Sequence, residues 1–278
     1  MQPAQVAAPP DTIPFSRRKR VDNIALSEKE DLHNQFGETE EIGGNHYRAY
    51  VGPPNYYDLI GATQFYLLTL FGMRETSSLL DIGCGSLRGG RFAIMYLRPG
   101  RYYGIDPEEW AIRDGLKSHF NEELVQRRKP NFVIDGDFAF TKFGRKFDLM
   151  MAHSIFTHAP QWQIAKCMAE AKKVMVPQTV FLATFFETLD GSDYQGDAWL
   201  YPDIVRYRRE TIAQIVHEAG LECHHVEWPH PFNQKWIAVT LPGAGLDVAR
   251  ALSGQIYSYE ATLERRRTDT TWPGSATN

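Results

Sequence analysis

The chain has 278 residues, 43% of them hydrophobic and 13% aromatic, which is ample for a buried core and excludes a globally disordered polymer. A formal net charge of −4 gives no reason to expect a nucleic-acid partner, and three scattered cysteines, Cys84, Cys167 and Cys223, are too few for a disulfide framework or a structural zinc site. No run approaches the roughly 20 apolar residues of a membrane span, and the first residues lack the apolar core of a signal peptide, so a cytoplasmic protein is expected.

Residues 1–40 read as a flexible N-terminal arm carrying the basic run Arg17-Arg18-Lys19-Arg20, a solvated charge patch. Residues 41–75 form a cap helix region. Within it, Leu59, Ile60, Phe65, Leu67, Leu68 and Phe71 recur at mostly helical spacing, and Gly72 is a natural stop. From residue 76 to residue 245 the pattern alternates. Strands are predicted over 79–82, 102–105, 132–134, 147–152 and 180–186, and helices over 91–97, 107–116 and 160–175. A helix over 211–219, capped by Gly220, precedes two strands, 221–228 and 236–241, that flank a turn rich in Pro and Asn. Residues 246–278 read as a C-terminal helix and a frayed tail. The chain is therefore expected to be α/β: a doubly wound, mostly parallel seven-stranded sheet with an antiparallel C-terminal hairpin and helices on both faces.

The segment from Leu79 to Gly90, LLDIGCGSLRGG, carries the most chemistry. A buried strand meets a glycine-dense turn at the sheet edge, where a backbone can approach a ligand closely. About 20 residues on, the second strand ends in Gly104-Ile105-Asp106, and an acidic side chain there can accept hydrogen bonds from ribose hydroxyls. The two features describe a nucleoside pocket. A dinucleotide fingerprint needs a glycine where this chain has Arg88, and the Gly-Lys-Ser/Thr of a phosphate loop is absent. Asp81, just before the glycines, suits a cationic sulfonium or ammonium better than a pyrophosphate.

On these residues the stretch 78–187 resembles the class I S-adenosylmethionine-dependent methyltransferases. DIGCG resembles their first motif, the acidic end of strand two falls at Asp106, and Asp135-Gly136-Asp137-Phe138 resembles the element that meets adenine. The resemblance implies S-adenosylmethionine as cofactor and a Rossmann-like fold. It implies a donor site built from Asp81, Gly83, Cys84, Gly85, Arg88, Asp106, Pro107, Gly136, Asp137, Phe138, His153 and Ser154. Tyr47 and Arg48 are candidates to fold over it, for the methionine carboxylate or the acceptor. The family's first motif often has a third glycine where this chain has Leu87.

Methyl transfer needs alignment of the nucleophile and, for a hydroxyl, a base. His158, His153 and Glu187 are the catalytic candidates, His being the side chain best matched to proton transfer near neutral pH. The long segment 188–203 carries Tyr194, Trp199 and Tyr201 among Asp190, Asp193 and Asp197, a mixture suited to a sugar or polyhydroxylated ring. His230 and Asn233 in the hairpin turn are further acceptor-side candidates. No metal is expected. The function expected is O-methylation of a hydroxyl on a small molecule, natural product or glycan, without nucleic acid or membrane span, with a homodimer left open. The alternatives are a dinucleotide-dependent oxidoreductase and a catalytically silent nucleoside-binding module.

Overall fold

The computed structural model describes residues 36–254. Seven strands form one sheet: β1 (Leu79–Ile82), β2 (Tyr102–Asp106), β3 (Asn131–Ile134), β4 (Phe147–Ala152), β5 (Met175–Phe185), β6 (Glu222–Val226) and β7 (Lys235–Thr240). Their order is β3-β2-β1-β4-β5-β7-β6. The first five are parallel, and β7 lies antiparallel between β5 and β6. The order reverses between β2 and β4, on either side of β1, so a crevice opens beyond the carboxyl ends of these strands.

Burial on both faces explains the continuous apolar runs in the sequence. Side chains alternate across a strand. Leu80, Met150 and Phe181 join one core, with Ile164 and Met168 of α6 (Gln161–Val174) and Ile212 and Val216 of α7 (Arg209–Glu218). Their neighbours Leu79, Met151 and Leu182 join the other, with Leu67 and Leu70 of α2 (Tyr57–Leu70) and Ile94 of α3 (Gly90–Tyr96). Each fully buried side chain of this size contributes about 1.5–3 kcal/mol. The apolar helix α2 is thus one layer of the fold, bound to the sheet along its buried face.

Several boundaries differ from the sequence expectation. The helix expected from Pro107 is α4 (Glu109–His119), because Asp106 and Glu108 hold the preceding turn. An unanticipated helix, α5 (Glu122–Arg128), follows; Asn121 caps it by accepting from the Leu124 N–H, and it buries no residue, so it has no apolar stripe to read. Strand β5 starts five residues early at Met175, and its register against β4 shifts between Phe147 and Leu149. Near the N-terminus a single-turn helix α1 (Tyr47–Tyr50) leads into α2, and near the C-terminus α8 (Val248–Leu252) starts the expected last helix. The remainder of that helix, the tail, and residues 1–35 of the arm lie outside the described residues. Among the described residues no helix is long and apolar enough to cross a membrane.

Helix α4 presses directly on the glycine loop. A Cβ at Gly115 would stand 2.3 Å from the Ser86 carbonyl oxygen, which is backbone and cannot swing aside. Alanine in a helix interior normally gains about 1 kcal/mol over glycine. Here the overlap outweighs that gain, so Gly115→Ala is expected to lower stability by about 1–3 kcal/mol in chemical denaturation, an inverted sign for this exchange.

Candidate active site

The turn after β1 is forced into its shape. Gly83 and Gly85 have φ of +65° and +48°, and a Cβ on either would collide, at 2.0 Å from Ile155 Cδ1 and 2.6 Å from Val51 Cγ1. The Gly83 and Cys84 N–H groups donate to the Ile105 carbonyl at 2.8 and 3.3 Å, and the Gly85 N–H donates to Asp106 Oδ2 at 2.8 Å. Asp106 Oδ1 accepts from the Glu108 N–H at 2.9 Å. Leu87, where the resembling family has its third glycine, adopts φ +64° itself and is 0% exposed. The left-handed conformation costs roughly 1–2 kcal/mol. Complete burial of a leucine offsets it with about 1.5–3 kcal/mol. The glycine path is therefore kept without the glycine.

Above this turn lies a cavity of about 600 Å³, inside the range of roughly 300–1,000 Å³ typical of ligand sites. Its β2–β3 side carries Ile105, Asp106, Pro107, Glu108, Gly136 and Phe138. Among the described residues, the carboxylates of Asp106 and Glu108 line it against one permanent cation, Arg88, while the carboxylate of Asp135 is neutralised by Lys142 at 2.6 Å and bonded by two N–H groups of its own turn. Burial raises the Asp106 pKa, against the two backbone N–H groups that lower it. A sulfonium donor fits a lining of this sign, and a pyrophosphate does not.

The other side is built by β4, the segment 188–204 and the β6–β7 turn. His158 Nδ1 lies 2.9 Å from the Leu200 carbonyl and 2.7 Å from that of Asp203. Carbonyls only accept, so Nδ1 carries the hydrogen and Nε2 keeps a bare lone pair. Burial pushes the His158 pKa down, with the carbonyl bonds opposing. Trp199 and Tyr201 pack on its ring. His153 Nδ1 faces Arg88 Nη2 at 2.9 Å and Ser154 Oγ at 3.0 Å, and its Nε2 meets His230 Nε2 at 3.0 Å. Arg88 also donates from Nη1 to the Val51 carbonyl.

Four cavity-lining side chains hold a buried polar atom with no partner: Arg88 Nε, Thr157 Oγ1, Gln163 Oε1 and Tyr201 Oη. Buried polar groups are normally paired, each lost bond costing about 1–3 kcal/mol.

Of the sequence candidates, Gly83, Gly85, Arg88, Asp106, Pro107, Gly136, Phe138, His153, Ser154, His158 and His230 line this cavity, as do Trp199 and Tyr201. Others are placed elsewhere. Asp81 turns back under α3, accepts from the Tyr102 hydroxyl at 2.6 Å, and burial lifts its pKa to about 6. Cys84 is buried in the α2–α3 core. Asp137 points to solvent and pairs with Lys166; Asp135 borders the cavity, but its carboxylate is held by Lys142 and by the N–H groups of Asp137 and Ala139. Tyr47 is packed on Tyr57 and His119, and Arg48 is held by Asp58. Their segment does reach the cavity, but through Tyr50, Val51 and Gly52. Glu187 is removed as a base: Arg209 holds its carboxylate at 2.8 Å, away from the lining. Asp190 and Asp193 fasten their own loop, Asp193 through Arg208 and Thr211, and Asn233 accepts from Lys235. Glu108, Gln163, Phe232 and Gln234 went unread, since nothing in their local sequence distinguishes them from ordinary turn or helix residues.

A methyltransferase-domain family matches residues 29–226. Solved structures of similar fold include magnesium protoporphyrin IX methyltransferase from Synechocystis with S-adenosylhomocysteine bound. It is 13% identical, with a TM-score of 0.51 over 68% of this chain and 84% of that one. A glycopeptide N-methyltransferase with S-adenosylmethionine bound is 8% identical, with a TM-score of 0.52 over 66% and 94% of the two chains. DesVI from Streptomyces venezuelae is 15% identical, with a TM-score of 0.50 over 69% and 94%. The chain belongs to the methyltransferase-domain family. It is an S-adenosylmethionine-dependent methyltransferase with the Rossmann-like fold of its class, and the oxidoreductase alternative is set aside.

The positive φ at Gly85 and its contact with Val51 make one substitution decisive. Gly85→Ala is expected to weaken S-adenosylhomocysteine binding at least tenfold in calorimetry, because about 1–2 kcal/mol of backbone strain is added to a steric overlap. Thermal unfolding should stay cooperative.

Proposed function

We propose that the enzyme methylates a hydroxyl of a small, ring-containing acceptor, with His158 as general base. Arg88 would meet the methionine carboxylate of the donor, Asp106 would take the ribose through its remaining lone pairs, and Pro107, Gly136 and Phe138 would frame adenine. When bound, S-adenosylmethionine supplies an electrophilic methyl on a sulfonium; nothing in the protein has to become covalently attached. The protein's own work is alignment, exclusion of water and removal of one proton.

His158 carries the reading. Its hydrogen is locked on Nδ1 by two carbonyls, and its Nε2 lone pair is the ring's unengaged position. A hydroxyl placed against Nε2 would give up its proton there as its oxygen attacks the methyl. Trp199, Tyr201, Phe186 and Phe232 supply flat apolar walls, which suit a ring. The related proteins with solved structures act on a porphyrin and a glycopeptide, so the shared fold alone does not select the acceptor.

Two measurements test this. S-adenosylhomocysteine should bind the wild type in calorimetry, and Asp106→Ala should weaken it at least tenfold. If neither donor nor product binds the wild type, the donor site is misassigned. His158→Gln should lower kcat by about 10²–10⁴-fold with product affinity unchanged. The base must be neutral, and burial holds its pKa below the usual 6.5. Activity should therefore be flat above pH 6.5 and fall only below it, as the ring gains a proton. Amine methylation that is indifferent to His158→Gln would overturn the role of the base.

A further inference from the structure

His153 and His230 meet at the acceptor end of the cavity in an arrangement that lacks an acceptor. Their Nε2 atoms are 3.0 Å apart. Each Nδ1 already receives a hydrogen bond. Arg88 Nη2 lies 2.9 Å from His153 Nδ1, and a guanidinium only donates. The Phe232 backbone N–H donates to His230 Nδ1 at 3.1 Å. A neutral imidazole whose Nδ1 accepts carries its proton on Nε2. Both rings thus present an N–H at Nε2, head to head. Ser154 Oγ, which exchanges hydrogen bonds with the Gln234 amide, also lies 3.0 Å from His153 Nδ1, but that position is already filled by the hydrogen of the Arg88 guanidinium. Protonating either ring would add a further donor where donors already crowd. Burial and the Arg88 charge oppose it, holding His153 well below the normal histidine range and His230 at about 4.

We propose that His153 and His230 together bind an acidic oxygen substituent of the acceptor, a carboxylate or phenolate distinct from the hydroxyl that reacts. This rests on the methyltransferase reading above and names the acceptor class for it. The 3.0 Å between them leaves no room for an oxygen, so the ligand's oxygen would part the two rings and offer each N–H a lone pair. A carboxylate only accepts, so no hydrogen is left over, whereas an alcohol would bring one more. Charge selects the same ligand. Arg88, buried and still cationic with a pKa near 10, stands directly behind His153. The lining carboxylates of Asp106 and Glu108 follow β2, across β1 from the ends of β4 and the β6–β7 turn that carry the histidines. Hydrogen bonds to an ionised acceptor are about twice as strong as neutral ones.

The test uses the full-length protein saturated with S-adenosylhomocysteine and titrated with 4-hydroxybenzoate or with its methyl ester. The acid should bind at least tenfold more tightly than the ester. His230→Phe should abolish that preference, and His230→Gln, which keeps a side-chain N–H, should retain part of it, both with unchanged S-adenosylhomocysteine affinity. In nitrogen-15 spectra of the imidazoles, His153 and His230 should both be Nε2–H tautomers, with the acid, not the ester, shifting both. Equal binding of acid and ester overturns the proposal, and so does a His230 found as the Nδ1–H tautomer closed onto His153. If neither probe binds, the tautomers alone decide. Loss of preference with S-adenosylhomocysteine still bound refutes this inference only; absence of S-adenosylhomocysteine binding refutes the donor site beneath it.

Discussion

The carboxylate of Asp106 holds the site together. It ends β2, accepts from the Gly85 and Glu108 N–H groups, and is nearly buried. A buried carboxylate needs such partners to remain ionised, and the glycine turn needs an acceptor for an N–H that no strand or helix satisfies. One side chain answers both demands and fastens β1 to β2 where their loops diverge. The turn can then take three successive left-handed positions, at Gly83, Gly85 and Leu87, because neighbouring contacts over-determine it. Helix α4 at Gly115 and Val51 on the N-terminal segment close on it from outside.

From that anchor the cavity acquires a direction. Carboxylates gather beyond β2, and N–H donors backed by a buried arginine gather beyond β4 and the terminal hairpin. The switch in strand order around β1 separates them. On the reading proposed above, the cationic donor would occupy one side and the acceptor the other, the approach that in-line transfer requires. Arg88 belongs to both sides. Its Nη1 and Nη2 hold Val51 and His153.

The acceptor side depends on a long connection. Segment 188–203 bends back so that the carbonyls of Leu200 and Asp203 fix the tautomer of His158, while its acidic side chains serve as internal struts. Asp193 ties the loop to Arg208 and to Thr211 in the first turn of α7. The aromatic residues are thereby freed to form walls. The aspartates were expected to contact an acceptor; Asp190 instead bonds to Thr188 and Ser192, and Asp193 to Arg208 and Thr211, because irregular backbone needs local hydrogen bonds.

The alternation of apolar runs, the glycines after β1, Asp106 and the Pro and Asn of the hairpin turn were readable because each expresses a local rule: period, positive φ, strand-end chemistry, turn geometry. Those rules determined the seven-stranded sheet, the methyltransferase resemblance and many of the residues that line the cavity. They did not determine which way a side chain faces at the rim. Asp81 turns into the core beneath Tyr102, Asp135 spends its carboxylate on Lys142 and its own turn, and Asp137 points to solvent. Glu187 lost its expected role to Arg209, 22 positions away. His153 and His230, 77 positions apart, share a contact that no local pattern could announce. Spacing along the chain governs local geometry, while the partner of a charge or the tautomer of a ring is settled only by elements that meet in three dimensions.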